Sequence, residues 1–75
     1  DGAHHVSAEI AQALFDVGFT IAAGGPTYWV GEAMGSANFI DLDEVPKATA
    51  KTNRMLARNA AHLAGFLQRH SYPGY

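Results

Sequence analysis

Residues 18–26 read Gly18-Phe19-Thr20-Ile21-Ala22-Ala23-Gly24-Gly25-Pro26. The fold class rests on how this run is taken. Residues 19–23 are short and β-favouring, and apolar rather than strictly alternating, which predicts a buried strand closed by the two glycines and proline. Upstream, Val6, Ile10, Leu14 and Val17 recur at helical spacing. A helix over 7–18 is expected, with Ser7 as its N-cap and Gly18 as its C′ stop. One helix feeding one strand across a single glycine is the grammar of an α/β fold.

Downstream, residues 24–43 lack periodicity and contain Gly24, Gly25, Gly31 and Gly35. A connection that long in a compact domain is usually functional or disordered. Tyr28, Trp29 and Phe39 favour an ordered loop that packs on something. A second helix is predicted over 44–70, starting within Asp43-Glu44-Val45-Pro46, with Asp43 as cap and Pro46 in the first turn. Lys47, Lys51, Arg54, Arg58 and Arg69 fall on one narrow stripe of that helix. Ala48, Thr52, Met55, Leu56, Ala60, Leu63, Phe66 and Leu67 form an opposing apolar face suited to covering a sheet. Residues 71–75 are a breaker-rich tail. Helix, strand, long loop and helix make sense as the end of a larger α/β domain. Folded alone, they would need a swapped or symmetric partner.

The bulk properties narrow the classes. At 75 residues, a free-standing fold is marginal without staples, and there is no cysteine to supply one. Apolar residues make up 48% of the chain, too many for a disordered segment. The formal charge of −2 argues against a nucleic-acid binder. No apolar run approaches the roughly 20 residues of a membrane span, and no signal peptide opens the chain. A cytoplasmic protein is expected. The start at Asp1, without an initiator Met, fits a piece of something longer or ordinary N-terminal processing.

Asp1-Gly2-Ala3-His4-His5 precedes a helix, where free backbone N–H groups favour electron-rich ligand atoms and a glycine permits close approach. On the residues alone, a helix lead-in with two solvated histidines serves equally well. Adjacent histidine side chains diverge, so no metal site is assigned. Thr27-Tyr28-Trp29-Val30-Gly31-Glu32 sets two large stacking rings side by side. They read as a wall for a planar ligand, a subunit contact, or a loop anchored by Trp29. Asn59 and His62 read as satisfied border residues, and the basic stripe as a solvated face. No catalytic residue is assigned, because no triad, phosphate loop or paired carboxylate stands out.

Taken together, Asp1-Gly2-Ala3-His4-His5, Gly18-Phe19-Thr20-Ile21, residues 27–35 and Ala57-Arg58-Asn59-Ala60-Ala61-His62-Leu63-Ala64 resemble one family. It is the flavodoxin-like NAD(P)H-dependent FMN reductases and quinone reductases, in its C-terminal half. The resemblance implies part of a doubly wound parallel sheet of order 2-1-3-4-5, with FMN at the C-terminal strand edge. Residues 1–6 would be a flavin-binding loop in which Asp1, Gly2, Ala3, His4 and His5 meet the ring. Tyr28 and Trp29 would lie near flavin, substrate or a subunit interface. The implied activity passes electrons from NAD(P)H through FMN to a quinone or similar small acceptor. The implied partners are the missing N-terminal half and further copies in a homo-oligomer. The family's phosphate-cradling first loop is absent, so this chain alone is expected to be inactive. The alternative is a self-associating interaction module without flavin.

Overall fold

The computed structural model describes residues 2–31 and 34–74. Two helices dominate: α1, Gly2–Asp16, and α2, Lys47–Arg69, with a single 3-10 turn at Phe39–Asp41 between them. The helices do not pack on each other. What joins them is the connection, part of which lies along α2.

The first helix starts at Gly2, not at Ser7, so residues 2–6 are helical turns and not a loop. Ser7 faces inward as the one buried described residue of α1, at 8% exposure, in register with half-buried Ala3, Ala11 and Leu14. That stripe of period 3.6 extends back through Ala3, and the helix follows it. The stop is a Schellman turn. Gly18 takes φ +97°, its N–H reaches the Phe15 carbonyl at 3.1 Å, and the Phe19 N–H reaches Leu14 at 2.9 Å.

No strand forms among the described residues, and this overturns the α/β expectation together with the 2-1-3-4-5 sheet and the flavodoxin-like assignment. Residues 19–23 do leave the helix, but a strand exists only as a ladder with a neighbour, and no second extended run lies beside them. Their contacts go to α2 instead. A shallow seam lined by Phe19, Thr20, Ala22, Leu63, Leu67 and Tyr72 marks the contact at one end. At the other, a Cβ on Gly25 would meet Leu56 Cδ1 at 2.9 Å. Rising numbers in 18–25 thus meet falling numbers in α2, so the segment runs antiparallel to the helix. The hydroxyls of Thr20 and Tyr72 are hydrogen-bonded, which ties the tail to the same seam.

The second helix begins one residue after Pro46, whose backbone is extended at ψ 140°. Proline disfavours helical geometry in the residue before it, so Val45 and everything earlier stay outside. Asp43 therefore cannot act as the cap, and the first turn of α2 carries no acid. At its end, His70 N–H bonds to Phe66 at 2.9 Å and Ser71 Oγ donates to the Leu67 carbonyl at 3.1 Å. No described helix is long and apolar enough to cross a membrane.

Candidate functional site

The connection folds its aromatic residues back on themselves. Trp29 meets Phe39 edge-on, with ring centroids 5.8 Å apart at 65°. Its indole also covers Gly31 so closely that a Cβ there would lie 2.8 Å from Trp29 Cη2. Trp29 is half-buried in these contacts, so it anchors its own loop. Tyr28, beside it, meets His4 of α1 edge-on at 5.8 Å and 69°. Such edge-to-face pairs follow the ring quadrupole and contribute about 0.5–1.5 kcal/mol each beyond area.

Between these rings and α2 lies a cleft of about 320 Å³, lined by Thr27, Tyr28, Trp29, Phe39, Thr49 and Asn53. Thr49 and Asn53 are one helical turn apart, so both side chains reach the cleft from the same side of α2. Aromatic walls with a few convergent polar groups are the usual make-up of a small-molecule site. Among the described residues no carboxylate, amine or imidazole lines it, so the described lining can bind and orient a ring but offers little acid–base chemistry.

The residues expected to form a site are partly gathered. His4 and Tyr28 touch, and Tyr28 and Trp29 line the cleft. Ala3 is half-buried in α1, while Gly2 is exposed, with nothing within 4 Å of a Cβ placed on it. His5 points to solvent, its Nε2 lying 3.1 Å from Glu9 Oε1 across one turn. Asp1 lies outside the described residues. Among those described, no group of three or more His, Asp or Glu side chains is placed to hold a metal.

Thr49 and Asn53 were not legible as site residues, because on α2 they look like polar border positions. Asn59 is the satisfied border residue that the sequence suggests: its Nδ2 donates to the Ala23 carbonyl at 2.9 Å and pins the extended segment to α2. The basic stripe surrounds a separate depression, lined by Lys51, Arg54, Met55, Arg58 and Asn59. At 100° per residue, Arg54 and Arg58 project from the side of α2 opposite Thr49. Among the described residues, no cation lines the aromatic cleft.

No protein-family model matches the chain, and no solved structure matches it. The chain is similar to 8-demethyl-8-aminoriboflavin-5'-phosphate synthase of Streptomyces davaonensis, with 32% identity over 73 residues. The match covers 96% of this chain but 28% of that protein, so the chain spans little more than a quarter of its relative's length.

Proposed function

We propose that this chain contributes a flavin-binding element to an FMN-dependent enzyme, with the isoalloxazine ring held in the cleft between Tyr28, Trp29, Phe39 and α2. The cleft itself carries the reading: three aromatic rings, two threonine hydroxyls and one amide around about 320 Å³ suit a planar, partly polar heterocycle. The similarity to a protein named for an aminated riboflavin phosphate supports the ligand class. Bound flavin would supply hydride and electron transfer, which fits NAD(P)H-dependent reduction of a quinone or similar acceptor. The relative's name favours a second reading, in which the flavin phosphate is substrate or product. Oxidation of NAD(P)H with a quinone acceptor belongs to the first; a changed flavin mass and spectrum belongs to the second.

Trp29 is the single tryptophan, so its emission reports on the cleft directly. Titrating the 75-residue chain with FMN should quench it saturably, and Tyr28→Ala or Phe39→Ala should weaken binding about tenfold. Riboflavin and FMN should bind within about twofold of each other, since strong phosphate contacts are charge-assisted and no described cation lines the cleft. Trp29 emission that stays unchanged up to millimolar FMN would remove the reading. The remaining possibility, a self-associating module without flavin, predicts assembly by light scattering and no response to FMN.

A further inference from the structure

We infer that Asn53 and Thr49 read the imide edge of the flavin ring and so fix which end of the ring enters the cleft. This rests on the flavin-binding reading above. The polar side chains on this half of α2 divide into two groups. Thr52 bonds its own helix at the Ala48 carbonyl, 2.9 Å away, and Asn59 bonds the Ala23 carbonyl at 2.9 Å. Both are committed to holding the fold. Thr49 and Asn53 line the cleft, and among the described residues neither side chain has a hydrogen-bond partner. Their groups are available to a ligand.

The chemistry selects one end of the ring. Isoalloxazine is apolar at its dimethylbenzene end and carries a carbonyl, N–H, carbonyl sequence at the other. A carboxamide presents a donor and an acceptor side by side. Asn53 can accept from the imide N–H through Oδ1 while Nδ2 donates to one flanking carbonyl. Thr49, one turn earlier, has a hydroxyl that can donate to the other carbonyl. Side chains at i and i+4 stand about 5–6 Å apart, a spacing that spans such an edge. The benzenoid end then lies against the ring faces of Tyr28, Trp29 and Phe39, the apolar share of the lining. A ring entering the other way would place its imide against aromatic walls and its methyl groups against the amide.

The test compares riboflavin with 3-methylriboflavin, whose imide N–H is blocked, using Trp29 emission on the 75-residue chain. The wild-type chain should bind the methylated ring about tenfold more weakly. Asn53→Ala should lose about as much with riboflavin and become indifferent to methylation. Thr49→Val should lose about two- to fivefold with either ring. Helicity measured alongside reports whether a variant has lost α2 and not a contact, and the methylated ligand asks the question with no substitution at all. Equal binding of the two rings by the wild-type chain would overturn the orientation and leave the cleft as a flavin site. Saturable binding of neither ring would overturn both.

Discussion

Asn59 ties distant parts of the chain together, which the described His5–Glu9 pair does not, since one side-chain bond spans 36 residues and fixes the extended segment on α2. Asn59→Ala should cost about 1 kcal/mol, the net worth of one such bond, read as a lower urea midpoint by circular dichroism. Asn59→Asp should cost at least as much, because a carboxylate cannot donate to the Ala23 carbonyl. An unchanged midpoint for both would mean that the bond is incidental. Gly24 sits two residues before Pro26 with φ +94°, where a Cβ would also come 2.9 Å from Met55 Cε. The methionine end can swing aside, so the cost of Gly24→Ala should come from the backbone, about 1–2 kcal/mol. Adding Met55→Ala should therefore not rescue it; recovery in the double variant would assign the cost to the clash. At this scale legibility was uneven. Gly18 declared itself as a helix stop, because its backbone role depends on glycine alone. Asn59 was legible as a satisfied border residue but its partner Ala23 was not, and Asn53 and Thr49 gave no sign, because their value depends on what lies opposite, and no spacing rule encodes that.

The two helices were legible from periodicity, since an amphipathic stripe is a property of one segment. Their starts were not, because each is set by a competing local rule: the inward stripe through Ala3 in α1, and the constraint Pro46 places on Val45 in α2. The strand failed for a different reason. Phe19-Thr20-Ile21-Ala22-Ala23 has strand-like residues, but strand pairing belongs to two segments, and here α2 is the neighbour it finds. The aromatic loop was read as ordered, and Tyr28 and Trp29 do line the cleft, although the helical side of that cleft was missed. The stripe on α2 makes its own prediction. Lys51, Arg54 and Arg58 lie at i, i+3 and i+7, and no described carboxylate pairs with them. Each like-charge neighbour costs about 0.2–0.5 kcal/mol. Arg54→Glu replaces two repulsions with two attractions, so it should stabilise α2 by about 1 kcal/mol at low ionic strength. The gain should shrink in 1 M salt, where the screening length is about 3 Å. A gain that persists in high salt would point to something other than charge.

At the scale of the whole molecule, the chain is open. It exposes 6360 Å², whereas a folded monomer of 8.0 kDa exposes about 4,450 Å² by the usual size scaling. Its radius of gyration is 15.3 Å against about 11 Å for a compact chain of this length, and its extents are 47 × 23 × 15 Å. Large apolar side chains contribute to the extra exposure. No hydrophobic side chain is fully buried among the described residues, and Phe15, Phe19 and Phe66 keep 53%, 61% and 49% of their surface in solvent. Unfolding this arrangement exposes about 5,200 Å², some three-quarters of what a compact fold would release by the same scaling. Urea sensitivity follows that area, so the dilute chain should unfold with an m-value about three-quarters of that of a compact domain of equal length, in a broad transition. Whatever covers the apolar faces of α1 and α2 should raise m as well as the midpoint, since it adds buried area and not merely contacts. Self-association would do this with rising protein concentration, while flavin in the cleft would raise the midpoint with a smaller change in m. A full m-value at high dilution would show that the chain closes up in solution, with its helices packed together rather than held apart by the connection.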